Sequence, residues 1–314
     1  MMNVSVLVPS YNHAPFVEQT LRSIFAQTAA PEKLIVIDDG SKDESAAIIE
    51  RVLRDCPFDA EFYKRENRGL CATLNEGFAK TNGDYFAYLG SDDIWLPDFL
   101  ERRVKILESR PEAVLAFGHS FLIDEENRII DSTENWTKYA DGEMLPQLLR
   151  GIIPASPSVV YRRAALEKNG WNENAILEDY ELYLKLSAAG EFAFDKNILC
   201  AWRQHSRNVS ADFPLMLSEW IAAQNRTADY LKISRGELDK IQTELKFNSV
   251  FDYLRHGKKR AAFALMRENL RGAKSAVQIA KIFLRFIVPQ KLFQWNRRRK
   301  RNRAIKNYAK LKLD

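Results

Sequence analysis

Residues 33–45 read "KLIVIDDGSKDES". The run from Leu34 to Ile37 has no polar face, so it reads as a short strand buried on both sides, as in a parallel sheet. It stops at Asp38, Asp39, Gly40 and Ser41, a turn cluster, and Asp43 then opens a helix through "ESAAIIERVL". The same alternation appears on either side. Upstream, "VSVLVP" (4–9) is a Val-rich run closed by proline; after a Tyr-Asn turn, Phe16, Val17, Thr20, Leu21, Ile24 and Phe25 recur at helical spacing. Downstream, a strand at "AEFYKR" leads to "ENRGLCATLNEGFAKTNG" (66–83), a helix with a turn-forming finish, and then to the apolar "DYFAYL" (84–89). This βαβαβαβ order predicts an α/β fold with a mostly parallel, doubly wound sheet and right-handed crossovers, in which ligands sit at the carboxyl ends of strands. "PSYN", "DDGS" and "GSDD" all fall at such ends.

From residue 97 the regularity weakens. A helix is expected through "DFLERRVKILES", then one strand over "AVLAFGHSFLID" (113–124) and a hairpin turn at "EENR". Residues 141–210 mix short elements with an amphipathic helix in "EDYELYLKLSAAG", and beyond 211 the pattern is helical. The expected division is 1–93 and 94–210 as two halves of one domain, followed by a helical extension, 211–314, packed at its start and loose at its end.

Composition narrows the class. The 314 residues are 46% hydrophobic and 28% charged, ordinary for a globular protein. Cys56, Cys71 and Cys200 form neither a metal-ligand spacing nor an even disulfide set, which fits a reducing cytoplasm. No stretch has the length and apolarity of a signal core or a membrane span, so neither is expected. The net charge of +5 divides unevenly: residues 255–314 hold 19 Lys or Arg against Glu268 and Asp314, +17, leaving 28 bases and 40 acids, −12, in the first 254. The tail and the body are built for different partners.

No Walker loop and no GxGxxG follows the first strand, which argues against a P-loop NTPase or a dinucleotide enzyme. Instead, Asp38 with Asp39 and Asp92 with Asp93 close successive strands. Such residues cap turns in many proteins, but together at one sheet edge they suit a hard divalent cation that bridges carboxylates to a diphosphate.

Taken together, "SVLVPSYNHAPFVEQTLRSIFAQT", "LIVIDDGSKDES" and "NRGLCATLNEGFAKTNGDYFAYLGSDDIWLPDFL" resemble the catalytic domain of family 2 glycosyltransferases, which have the GT-A fold. The resemblance covers about residues 3–210. It implies a nucleotide-sugar donor, with UDP favoured, a Mn²⁺ or Mg²⁺ cofactor and inversion at the anomeric carbon. By the same resemblance, Pro9, Tyr11 and Asn12 line the nucleotide; Asp38 and Asp39 are the pair of which one member meets the base; Asn67, Arg68 and Gly69 form the loop below it, with Asn75 on the helix that follows. Asp92 matches the ribose contact and Asp93 the metal ligand. Gly90 stands where many members have the first aspartate of Asp-x-Asp-Asp, leaving one protein carboxylate on the metal. His205, in "WRQHSRNVS", either completes that shell or hydrogen-bonds within its loop. In "ILEDYELYLKLS", Asp179 matches the catalytic base and Glu178 its orienting neighbour, a place where carboxylates also cap helices. Residues 152–163 are expected in the acceptor pocket, and Trp95, Trp171 and Trp202 are candidate sugar platforms.

The implied function is addition of a sugar to a glycan or lipid-linked acceptor in cell-surface polysaccharide synthesis. Two other classes stay open: a sugar nucleotidyltransferase, which the absence of a Gly-rich basic loop disfavours, and a catalytically inactive glycan- or lipid-binding relative, which the presence of Asp93 and Asp179 disfavours. Residues 211–254 are expected to cover the site, to form a homodimer interface, or both. The basic end, with Phe283, Phe286, Phe293 and Trp295 among its cations, is expected at an anionic membrane surface, at the cytoplasmic face, and not on nucleic acid, since no recognition motif accompanies it.

Overall fold

The computed structural model describes residues 3–206, 208, 212–308 and 311. The first half follows the expected alternation: β1 (Val4–Ser10), α1 (Val17–Phe25), β2 (Lys33–Asp38), α2 (Ser45–Leu53), β3 (Ala60–Lys64), α3 (Leu70–Ala79) and β4 (Tyr85–Tyr88). It continues with β5 (Ile94–Trp95), α4 (Phe99–Ser109), β6 (Ala113–Gly118), β7 (Phe121–Ile123), β8 (Ile129–Ser132), α5 (Leu145–Leu148), β9 (Val160–Arg162), α6 (Arg163–Leu166), α7 (Glu178–Ser187), β10 (Glu191–Asp195) and β11 (Cys200–Arg203). Among the described residues five further α-helices follow: α8 (Phe213–Thr227), α9 (Arg235–Arg255), α10 (Lys259–Glu268), α11 (Ala276–Ile287) and α12 (Gln290–Asn307).

Among the described residues the strands form a seven-stranded sheet, in the order β10-β6-β9-β4-β1-β2-β3, and a four-stranded one, β5-β11-β7-β8. In the large sheet β1, β2, β3 and β4 run parallel, and β9 is antiparallel to both of its neighbours. The winding reverses between β1 and β4, which opens a crevice at their carboxyl ends. Both faces of this sheet are covered, as the continuous apolar runs require. Val4, Val6, Val8, Leu34 and Val36 join the core beneath α1, α2 and α4, while Leu7, Ile35, Ile37, Phe86 and Tyr88 join the one beneath α3 and α7. This is the period-two alternation of a strand, with an apolar residue on both sides.

The strand expected over residues 113–124 is two strands in different sheets. Arg103 and Asp195 explain the break. The Arg103 guanidinium, fully buried, pairs with Asp195 Oδ2 at 2.7 Å and donates to the Ser158 carbonyl at 3.2 Å. It occupies the space beside Gly118: a Cβ there would lie 2.4 Å from Arg103 Nη2 and 2.6 Å from the Asp195 carbonyl oxygen. The chain leaves the large sheet at this point, and β7 pairs with β11 and β8 instead. The hairpin expected at "EENR" is the β7–β8 connection.

The helical end also differs from expectation. Ser234 and Ser275 cap α9 and α11 through the Glu237 and Gln278 N–H groups, both in Ser-x-x-Glu/Gln capping patterns. The described part of the tail packs on the body: α12 continues to Asn307, Arg301 pairs with Asp124 at 2.8 Å, and the Tyr308 ring meets Phe121 edge-on at 5.6 Å.

Breaking a buried ion pair strands one charge without a partner, at a cost of about 3–5 kcal/mol. Asp195→Ala should therefore lower the unfolding free energy by about that amount, measured by urea denaturation, and a change of under about 1 kcal/mol would show that the pair is not what holds β6 and β10 at this corner.

Candidate functional site

The crevice at the β1/β4 switch point is a cavity of about 730 Å³. Its first wall is built from the loops after β1, β2 and β3. These are stitched to one another: the Asn12 N–H donates to Ser41 Oγ at 2.9 Å, the Lys42 N–H to Asn12 Oδ1 at 2.8 Å, and the His13 N–H to Ser45 Oγ at 2.9 Å. Asn12 takes a positive φ of 55°, a left-handed conformation that asparagine tolerates. Pro9, Ser10 and Tyr11 line the cavity. The two members of the first acidic pair separate. Asp38 is buried and accepts the Ser41 N–H at 2.9 Å, closing its own turn. Asp39 faces the cavity and accepts the Arg68 and Gly69 N–H groups at 2.9 and 2.8 Å, with Arg65 Nη1 at 2.9 Å. It thereby holds Asn67 and Gly69 in the lining. Gly40, at φ +79°, permits the approach, since a Cβ there would lie 2.7 Å from the Asn67 nitrogen.

Two expected contacts lie elsewhere. Asn75 bridges α3 to the 171–173 loop, donating to the Trp171 carbonyl at 2.8 Å and Glu173 at 3.0 Å and accepting the Trp171 N–H at 3.0 Å, so it serves the frame of the site rather than its lining. The Arg68 guanidinium turns to Glu76, 3.6 Å away.

The second acidic pair also separates, in the order opposite to the expected one. Asp92, rather than Asp93, meets His205: its Oδ2 lies 2.9 Å from Nε2. His13, which the sequence reading passed over, stands on the other side, 2.8 Å from Ser91 Oγ and 3.8 Å from Asp92 Oδ1. One ligand atom from each of His13, Asp92 and His205 lies within 4.8 Å of the others. Phe16 stacks on the His205 ring at 5.2 Å and fixes its plane. Asp93 also lines the cavity, but its Oδ1 accepts the Arg203 N–H at 2.8 Å while its carbonyl accepts the Thr20 hydroxyl. Burial and then the Asp92 charge push the Asp93 carboxyl well above the usual range. Burial would also raise Asp92, but the hydrogen bond from His205 and the field of His13 and His205 outweigh it and hold that carboxyl low. The two carboxyls are thus shifted in opposite directions, Asp92 down by its imidazoles and Asp93 up by burial and its neighbour's charge.

Arg203 makes this arrangement possible. It is fully buried, and its guanidinium donates to the Asp92 carbonyl at 2.7 Å, the Asp124 carbonyl at 3.0 Å, Asn127 Oδ1 at 2.6 Å and Gln19 Oε1 at 3.0 Å. The Arg-x-His spacing in "WRQH" was the signal for it. Gly90 has a steric role: a Cβ there would lie 2.9 Å from Asp92 Oδ1, so the carboxylate occupies the space a side chain would need.

Across the cavity, the N-terminus of α7 presents Glu178 and Asp179, both in the lining. Glu178 Oε1 accepts the Tyr88 hydroxyl at 3.1 Å. Burial raises both carboxyls, and the Glu178 charge drives Asp179 well above its usual range despite the N–H groups of the helix's first turn. The remaining wall is aromatic and loop-built: Trp136, Tyr139, residues 151–156, Trp202, and Phe213, Met216 and Trp220 from α8. Residues 151–156 line the cavity, but the rest of the 152–163 segment enters the core toward β9. Trp95 and Trp171 are buried, Trp95 against Phe99 at 4.3 Å, so of the three candidate platforms Trp202 alone lines the cavity.

Comparison with known proteins agrees with this architecture. An uncharacterised glycosyltransferase of Rickettsia conorii is 32% identical over 66% of this chain and 35% of its own length, and the chondroitin synthase of Escherichia coli is 27% identical over 66% of this chain and 30% of its own. The chain spans between about a third and a half of the length of the first curated relatives it matches. Among solved structures, the Pyrobaculum calidifontis mannosyltransferase PcManGT, in complex with GDP-Man and Mn²⁺, superposes with a TM-score of 0.62 at 17% identity over 97% of this chain and 86% of its own. S. aureus TarS with UDP-GlcNAc superposes with a TM-score of 0.59 at 15% identity over 98% of this chain and 89% of its own, and at such identities the likeness is one of fold, here GT-A. Residues 5–170 match the family described as glycosyl transferase family 2, more than half of the chain, and the chain belongs to that family.

Proposed function

We propose that this chain transfers a sugar, with inversion, from a nucleotide-sugar donor, UDP-linked in preference, to a hydroxyl of a glycan or lipid-linked acceptor in polysaccharide synthesis. The observation that carries the reading is one cavity with a His-Asp-His cluster on its β1/β4 side and a buried acid pair at the head of α7. The chondroitin synthase relative supports a glycan acceptor, and the bound ligands of the two solved structures support a nucleotide-sugar donor.

The donor set fits a divalent cation. His13, Asp92 and His205 offer two imidazoles and one carboxylate at ligating separations, and Asp92 is held in its charged form. Magnesium favours an all-oxygen shell, whereas imidazole donors suit transition ions, so the set favours Mn²⁺ over Mg²⁺. A bound cation would act as a Lewis acid that neutralises charge on the departing diphosphate. On this reading Asp39 and the Asn67–Gly69 loop hold the nucleobase end, Tyr11 lies along it, and Asp93 positions the metal loop through Arg203 instead of ligating. Asp179 takes the proton of the acceptor hydroxyl as it attacks. Glu178, tethered to Tyr88, keeps the helix terminus oriented. Phe213, Met216 and Trp220 close the acceptor side, and Trp202 and Trp136 offer it aromatic faces.

Calorimetry tests the donor side: UDP should bind in the presence of Mn²⁺, more weakly with Mg²⁺, and not measurably in EDTA. Asp92→Asn, His13→Ala and His205→Ala should each weaken Mn²⁺-dependent UDP binding by about tenfold or more; equal UDP affinity with and without metal would sink the metal assignment. Gly90→Ala should weaken it in the same assay, because its Cβ competes for the place of Asp92 Oδ1, whereas unchanged affinity would mean that the carboxylate tolerates displacement. Asp179→Asn should lower the transfer rate by about 10²–10⁴-fold while UDP affinity stays within about twofold; a large loss of UDP affinity would move Asp179 to the donor site. A base works unprotonated, and burial with the Glu178 charge raises the Asp179 pKa, so the rate should rise with pH through an acid limb lying above the ordinary carboxylate range. A rate already at its plateau at the pKa of a free aspartate would count against that role.

A further inference from the structure

The last two helices carry a surface that neither the core nor the cavity uses. On α11, Ile279, Ile282 and Phe286 pack into the cluster formed with Phe247, Val250 and Leu254 of α9. Val277, Leu284 and Ile287 lie on another face at intervals of seven and three residues, the spacing of a helical stripe, and are 62%, 64% and 78% exposed. Phe283 beside them is half exposed, and past the bend at Pro289 the pattern continues with Leu292 and Trp295 at 56% and 57%. Exposed apolar residues scattered singly need no explanation, but a run of large ones on consecutive helices marks an interaction surface. Phe286 and Phe293, which the sequence suggested would share this role, do not: Phe286 belongs to the α9 cluster, and Phe293 is partly covered.

Charge identifies the occupant. Between Lys281 and Lys306 there are ten Lys or Arg residues and no acid. A cation also accompanies the exposed apolar residues: the Arg299 guanidinium lies over the Trp295 ring, 5.5 Å from its centre. A second copy docked through the same face would bring this cationic run against itself, and a nucleic acid would satisfy the cations while leaving Leu284 and Ile287 in water. A bilayer with anionic headgroups satisfies both.

We propose that α11 and α12 form a docking surface for an anionic lipid bilayer, in which Val277, Leu284, Ile287, Leu292 and Trp295 enter the acyl boundary and Arg297, Arg298, Arg299, Lys300 and Arg303 lie among the headgroups. The helices are anchored to the body through the α9 cluster and, at the end of α12, through Arg301 on Asp124 and Tyr308 on Phe121, so a bound bilayer holds the catalytic body and not a tether. No described helix is long and apolar enough to cross a membrane, which makes the contact a surface one. The proposal does not depend on the reaction proposed above.

The test is flotation of the full chain with vesicles of phosphatidylcholine alone and of phosphatidylcholine with about 30% phosphatidylglycerol, at low and high salt. Binding should be at least about tenfold tighter to the anionic vesicles and should weaken with salt. The pair Leu284→Asp and Ile287→Asp should lose about tenfold or more of that binding, as should Arg297, Arg298 and Arg299→Gln, both with Mn²⁺-dependent UDP affinity and the unfolding midpoint unchanged. The proposal is overturned if the Asp pair binds anionic vesicles as well as the parent chain does, or if the parent binds neither vesicle. In the latter case, a dimer broken by the Asp pair in sedimentation velocity assigns the face to a second copy, and binding of a duplex oligonucleotide assigns it to nucleic acid. Vesicle binding retained without UDP binding would count against the proposed reaction alone.

Discussion

The candidate site depends on one buried cation. Arg203 ends β11 with its side chain out of water, a position that is costly for a guanidinium unless its donors are met. They are met by the carbonyls of Asp92 and Asp124 and by the side chains of Asn127 and Gln19, which come from three separate segments of the chain. Its backbone N–H meets Asp93. The loop after β4, the β7–β8 turn and α1 are therefore fixed to one another through this residue. Two positions beyond it, His205 arrives beside Asp92 with no freedom to choose Asp93. Asp124 carries the coupling further, since its carboxylate also receives Arg128 and Arg301, so the last helix rests on the turn that holds Arg203.

The electrostatics of the cavity follow from where each carboxylate points. Two adjacent aspartates cannot both ionise cheaply in a buried place, and the structure resolves the conflict by giving them different neighbours. Asp92 has two imidazoles, and Asp93 has a backbone N–H and the interior. The pair at the head of α7 resolves it by a different means: Glu178 takes the Tyr88 hydroxyl, and at Asp179 burial and its neighbour's charge outweigh the N–H groups of the helix's first turn. On the reading proposed above, the carboxylate held low at Asp92 suits a cation, and the raised carboxyl of Asp179 across the cavity suits proton abstraction.

The helices after residue 211 do more than extend the chain. α8 lends Phe213, Met216 and Trp220 to the cavity and ties itself to α7 through Gln224 on the Tyr180 hydroxyl at 2.8 Å and Arg226 on Glu181 at 2.7 Å. The acid pair of α7 is thus held from behind by a helix that also closes the cavity in front of it.

The large sheet was legible in the sequence because its signals are local. "VSVLVP", "KLIVI" and "DYFAYL" are apolar on both faces, and turn residues end each of them, so periodicity alone places strands, helices and the loops that carry Asp39, Asp92 and the β1 motif. The head of α7 was legible for the same reason. Which member of the second acidic pair meets the imidazoles was not, because side chains one residue apart carry the same local signal. The choice between Asp92 and Asp93 is made by Arg203, 110 residues later in the chain. The split of residues 113–124 between two sheets depends likewise on Arg103 and Asp195, which meet across 92 residues, and His13 becomes a candidate ligand only when β4 and β11 bring Asp92 and His205 to it. Local patterning, then, determined the fold and the loops on which the site stands. Tertiary structure decided the orientation of each carboxylate, because burial and the partner that compensates it exist only once distant segments have packed.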